Sequence, residues 1–84
     1  MSDPGQRLLL DPVIAARRML RTGRAIEIRR AAGISQGEVG RRIGRSQATV
    51  NHWEQRRNGP HAPEAALLGR LLLDLAADLR MEAP

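Results

Sequence analysis

Ile34–Glu54 reads ISQGEVGRRIGRSQATVNHWE, two helical patterns with almost nothing between them. Ser35-Gln36-Gly37-Glu38 has the form of a capping box, in which a serine hydroxyl and a glutamate carboxylate answer backbone amides left unpaired at a helix start. The helix it opens turns Gln36, Val39, Gly40 and Ile43 to one side, and Gly44 ends it. Ser46 is placed to cap a second helix, reaching about Gln55, that buries Val50 and Trp53. Neither is long enough to be stable alone. They must cross steeply to bury Val39, Ile43, Val50 and Trp53 together, and Gly40 falls at their closest approach. An interior helix glycine costs on the order of 1 kcal/mol against alanine, and a tight crossing gives it a use. With Val50 and Trp53 inward, the helical step turns Ala48, Asn51, His52 and Gln55 outward, with Gln47 on the flank. A merely soluble helix would carry Glu and Lys there.

Outward from this stretch the same periodicity continues. Asp11-Pro12 reads as an N-cap with proline at the first helical position, followed by Val13, Ala16 and Leu20 on one face. Thr22-Gly23 interrupts that helix. A second stretch, about Arg24 to Ala32, turns Ala25, Ile28 and Ala32 inward and stops at Gly33. Asn58-Gly59-Pro60-His61-Ala62-Pro63 is a loop. A long helix then runs from Pro63 to about Arg80, with Leu67, Leu68, Leu71, Leu72, Leu75 and Leu79 in a broad inward stripe. Leu73, Ala66 and Ala77 fall off that stripe. No segment alternates with period two, so the fold is all-α with about five helices in one domain over 1–84. Within it, 1–23 form an N-terminal extension and extra helix, 24–62 the central unit, and 63–80 the Leu-rich helix.

Composition narrows the function. The 84 residues contain no Cys, Phe or Tyr, and Trp53 is the sole aromatic residue. The core must therefore be aliphatic, and disulfides and thiolate metal sites are excluded. His52 and His61 are the only imidazoles, so neither a metal nor another cofactor is expected. No apolar run approaches the length of a membrane span, and MSDPGQR lacks the form of a secretory signal. A soluble, cytoplasmic protein, associated with the nucleoid in a bacterial host, is the expectation. The charge is uneven: between Arg17 and His61 eleven arginines face three acids, while the flanks hold three arginines and six acids. A basic middle with acidic ends suits one surface aimed at a polyanion.

Two helices joined by a short glycine-containing turn form the helix-turn-helix pattern. Gln36, Glu38, Val39, Gly40, Ile43, Gly44, Val50, Trp53 and Glu54 together resemble the Cro/C1-type (XRE-like) helix-turn-helix family of bacterial and phage DNA-binding proteins. The resemblance extends from about Ile28 to Pro60 and implies a five-helix lambda-repressor-like fold. The chain departs from the family at Gly40, where alanine is commoner, and at Arg56-Arg57-Asn58, where a glycine commonly follows soon after the Trp-Glu pair. The helix from Val13 to Leu20 is extra to the minimal domain.

The resemblance places the helix from Ser46 in the major groove. Residues matching Gln47, Ala48 and His52 commonly touch bases in the family, and one matching Gln36 commonly holds a phosphate. Arg29 and Glu54 match a salt bridge between the first helix and the end of the recognition helix. From side-chain chemistry, Gln47 and Asn51 can each bridge adenine N6 and N7, Ala48 can meet a thymine methyl, and Arg45 can reach guanine or a phosphate. Gly37, Ser46, Thr49, Arg56, Arg57 and Asn58 complete the expected phosphate contacts. No nucleophile motif, phosphate-binding glycine loop or paired carboxylates point to an enzyme.

These features lead to a sequence-specific transcriptional regulator, a repressor occupying a palindromic double-stranded operator as a homodimer. Leu73, Ala66 and Ala77 are the expected dimer surface, with Leu8 to Leu10 the next place to look. The rival is the antitoxin of a toxin–antitoxin pair, which would grip a toxin protein and repress its own operon. A compact activator or recombination accessory factor, or a partnership with another regulator, is a third reading. Nothing in the chain suggests a membrane partner.

Overall fold

In a computed structural model, which describes residues 11–81, five helices follow one another: α1 (Pro12–Thr22), α2 (Arg24–Ala31), α3 (Gln36–Ile43), α4 (Gln47–Glu54) and α5 (Ala62–Asp78). No strand occurs among the described residues, and the protein is all-α. The expected segment Leu8 to Leu10 lies outside them.

Local chemistry sets most of the boundaries. The Asp11 carboxylate accepts from the Val13 and Ile14 amides at 2.9 and 3.2 Å, with Pro12 in the first turn behind it. Ser35 and Ser46 do the same for α3 and α4, each hydroxyl accepting the third amide at 3.1 Å. Such caps satisfy donors that a helix start otherwise leaves to water. Glu38, expected to reach back in the capping box, lies 3.7 Å from Arg42 one turn along α3.

The core is one cluster threading all five helices. It joins Ala15, Ala16, Met19 and Leu20 of α1 to Ala25 and Ile28 of α2, Val39 and Ile43 of α3, Val50 and Trp53 of α4, and Ala65, Leu68, Leu72 and Ala76 of α5. Trp53 is only 4% exposed, so it is a core residue and leaves no ring face free for stacking. The principal partner of α5 is α1, and the two cross so closely that Gly69 lies on the start of α1. A Cβ there would stand 2.6 Å from the Pro12 carbonyl carbon and 2.9 Å from its Cα, separations that packed atoms do not tolerate.

That crossing turns α5 away from its expected orientation. Leu68 and Leu72 are buried, but Leu67 and Leu79, expected in the inward stripe, are 52% and 40% exposed. Leu73, expected off the stripe, is half-buried and packs against the core, as do Leu71 and Leu75. Small residues explain the rotation: Ala65, Gly69 and Ala76 bring the backbone of α5 against its neighbours, so the buried face centres on them as much as on the leucines.

Candidate nucleic-acid interface

The turn between α3 and α4 is built around Gly40. Gly44 adopts the left-handed conformation that ends α3 (φ 76°), and the Arg45 amide donates to the Gly40 carbonyl at 2.8 Å. A side chain at position 40 would meet the Arg45 carbonyl oxygen well inside van der Waals separation, with the carbonyl carbons of Arg45 and Ser46 at 3.2 Å. The glycine therefore admits the backbone of the turn itself, which accounts for the departure from alanine.

Behind α4 stands a bidentate ion pair. Arg29 Nε and Nη2 donate to the two Glu54 carboxylate oxygens at 2.7 and 3.0 Å, and Nη1 donates to the Ile34 carbonyl at 3.1 Å. Their side chains are 12% and 6% exposed. Hydrogen bonding to Glu54 raises the Arg29 guanidinium further above its ordinary value, against the opposing effect of burial. The pair ties the end of α4 to α2 and so holds the angle at which α4 projects.

Gln36 extends this anchor towards the outward face. Its Nε2 donates to Asn51 Oδ1 at 3.0 Å and to Glu54 Oε1 at 2.9 Å, and its Oε1 accepts from Gln47 Nε2 at 2.9 Å. Gln55 Nε2 reaches Asn51 Oδ1 more weakly at 3.4 Å. Gln36, expected as a phosphate holder, is thus also the hub that orients two expected base readers. The network was not legible beforehand, because spacing places residues on a face without giving their rotamers.

On the outward face Gln47 and Ala48 are exposed, and Thr49, Asn51 and His52 are half-buried. Ser46 is exposed, and its hydroxyl lies 3.0 Å from that of Thr49. Gly37 has room: an added Cβ would find Gln47 Cβ at 3.8 Å and nothing nearer than 3.7 Å. A polar hollow beside it is lined by Arg29, Arg30, Ser35, Gln36, Gly37 and Gln47. Arg45 is engaged elsewhere, with its Nη2 2.6 Å from Glu64 Oε1 in the first turn of α5. Glu64 was not anticipated as part of the site. Its only prior signal was an acid at a helix start.

The exit from α4 resolves the second departure. Arg56 takes the left-handed conformation (φ 60°), its amide donates to the Trp53 carbonyl and that of Arg57 to His52, both at 3.0 Å. This is a Schellman closure, normally made by glycine. Arginine adds something glycine lacks, because Arg56 Nη1 donates to the Arg21 carbonyl at the end of α1 at 3.0 Å. Arg57 and Asn58 follow, both exposed. The expected DNA-contact residues therefore lie along α4, at its start and exit, and, as Gln36 and Gly37, in the first turn of α3. The expected dimer residues stand apart on α5, with Ala77 exposed and Ala66 and Leu73 half-buried.

This geometry defines a helix-turn-helix DNA-binding domain. Residues 18–83 match the family model described as a helix-turn-helix domain, and the chain belongs to that family, within the XRE-like superfamily and consistent with the Cro/C1 type. Searches of curated proteins and of solved structures give no significant match. No helix among the described residues is long and apolar enough to cross a membrane.

Proposed function

We propose that the protein is a transcriptional repressor that binds a palindromic double-stranded operator as a homodimer, with α4 in the major groove. The observation that carries the DNA reading is the outward face of α4. Polar side chains there, Gln47 and Asn51, are tied through Gln36 to a largely buried ion pair that holds the end of α4. Readers oriented before binding lose less side-chain freedom on binding, which favours sequence discrimination.

In this reading Gln47, Ala48, Asn51 and His52 face base edges, with Arg45 at the start of α4. Gln36, Gly37, Ser46, Thr49, Arg56, Arg57 and Asn58 meet phosphates. A glutamine amide presents the donor and acceptor that adenine N7 and N6 require. Both amide N–H groups of Gln36 are engaged by Asn51 and Glu54, so a phosphate held by Gln36 would take over one of them and couple backbone contact to the network that orients Gln47. Repression in this reading follows from occupying the operator and so blocking polymerase.

Selection of bound sites from random duplexes tests the proposal. Wild-type protein should enrich a motif with two-fold symmetry, and Gln47→Ala should cost about 1–3 kcal/mol at one base pair and relax preference there. Arg57→Ala should weaken all duplexes alike and reduce the salt slope by about one unit. Enrichment of no motif by the wild-type protein would overturn the sequence-specific reading. A motif and affinity unchanged by Gln47→Ala would remove Gln47 from the base contacts.

A further inference from the structure

Glu64 has two ordinary reasons to stand where it does. It lies in the first turn of α5, where a carboxylate meets the positive end of the helix dipole, and it neutralises an arginine. Neither reason selects Arg45, which occupies the most constrained point of the α3–α4 turn. The Arg45 amide donates to the Gly40 carbonyl at 2.8 Å, while its own carbonyl lies over the bare Cα of Gly40. Its far end is fixed as well, with Nη2 on Glu64 Oε1 at 2.6 Å. The acid of this pair is the sheltered partner, 16% exposed, and the arginine the open one at 46%. A guanidinium carries five N–H donors in a rigid fork, and this ion pair engages only one of its nitrogens.

We propose that Glu64 is a positioning residue for DNA recognition, holding Arg45 as a preset fork beside the start of α4 without touching DNA itself. The inference rests on the DNA reading above and on Arg45 being part of it. A freely rotating arginine settles on phosphates as readily as on bases. One whose plane is fixed favours an acceptor pair of matching geometry, such as guanine O6 and N7. The opposite role is physically distinct: a carboxylate that sequestered Arg45 would weaken DNA binding, and its removal would strengthen it. The two roles differ in sign.

The experiment compares wild type, Glu64→Gln, Arg45→Ala and the double variant on the selected duplex and on a scrambled duplex, across a range of salt. Helical circular dichroism confirms that each variant is folded. Glu64→Gln should lower affinity for the selected duplex about five- to tenfold, the range of one imperfectly made base contact, and leave the scrambled duplex nearly unchanged. In the Arg45→Ala background the same change should cost nothing further. Arg45→Lys, which keeps the charge but not the fork, should lose the base preference while retaining affinity for the scrambled duplex.

Tighter binding of both duplexes by Glu64→Gln, with the salt slope steeper by about 0.9, would establish sequestration and overturn the proposal. So would an unchanged affinity, or an equal loss in the Arg45→Ala background. Failure of the underlying reading looks different. If Arg45→Ala leaves every duplex unaffected, Arg45 has no DNA role and the inference falls with it. If the wild-type protein selects no motif, the sequence-specific reading fails before Glu64 is reached.

Discussion

Gly37 and Gly40 occupy the same short helix, yet one methyl group should affect them in opposite ways. At Gly37 an added Cβ finds only ordinary contacts, the nearest at 3.7 Å, whereas at Gly40 it runs into the backbone of the turn. Gly40→Ala gains helix propensity of about 1 kcal/mol but must separate α3 from the turn, and overpacking of that kind costs about 1–3 kcal/mol. Thermal unfolding should show Gly40→Ala destabilised and Gly37→Ala unchanged or slightly stabilised. A Gly40→Ala protein as stable as wild type would mean that the turn yields easily. Gly37→Ala also separates stability from DNA binding, because loss of affinity in a stable variant would support the proposed phosphate approach.

Arg29 and Glu54 make a different kind of prediction. Removing one partner strands a largely buried charge, a change that commonly costs about 3–5 kcal/mol, while replacing both by apolar residues costs much less. A double-mutant cycle in thermal unfolding measures this coupling, and a value near zero would make the pair incidental. The positions of Arg29 and Glu54 were legible through family resemblance, as was Gly40 through the steep crossing. The link from Glu54 through Gln36 to Gln47 was not, because it depends on rotamers that only the packed structure decides.

Helix starts and stops were the most legible elements, because caps are local: Asp11, Ser35 and Ser46 act within three residues of themselves. The face that α5 buries was not. Five of its six leucines share an arc of about 140° at 100° per residue, so periodicity centred the buried face on them, whereas Ala65, Gly69 and Ala76 draw it to one edge of that arc. The choice came from α1, against which Gly69 is pressed at Pro12, a contact between residues 57 positions apart. The start of α5 carries a pH dependence. Hydrogen bonding from Arg45 is the main cause holding the Glu64 carboxyl below its ordinary value, with partial burial opposing it and the His61 backbone and charge assisting. A carboxyl lowered on folding contributes stability above its unfolded value, about 4.3, and that contribution is lost as pH falls through the depressed folded value. Glu64→Gln should therefore melt below wild type at neutral pH, with the gap narrowing below the ordinary carboxylate range and closing only once pH has passed the depressed folded value. A gap that persists there would assign Glu64 a role independent of its charge.

A recognition helix of eight residues spans only a few base pairs, too little information to single out an operator among genomic competitors. Two copies on a two-fold axis double the contacts and require half-site centres about 34–36 Å apart. In the proposed homodimer the basic middle of each chain would repel its copy, which makes α5, in the acidic flank, the surface to test. Ala66, Leu73 and Ala77 still form one strip along α5, but its largest member is half-buried against the core. Leu73→Glu would therefore confuse loss of a dimer with loss of folding. Ala77, exposed at the same strip, gives the cleaner test. Ala77→Glu should leave the helical spectrum intact, yield a monomer by light scattering at tens of micromolar, and weaken operator binding by about 100-fold or more as avidity is lost. Leu67, the most exposed large hydrophobic among the described residues at 52%, lies about 80° further round the helix from Ala77 at 100° per residue. If Leu67→Glu dissolves the dimer while Ala77→Glu does not, the interface is the newly exposed face and the strip is wrong. A wild-type protein that stays monomeric and protects one half-site at full affinity would sink the two-fold model altogether.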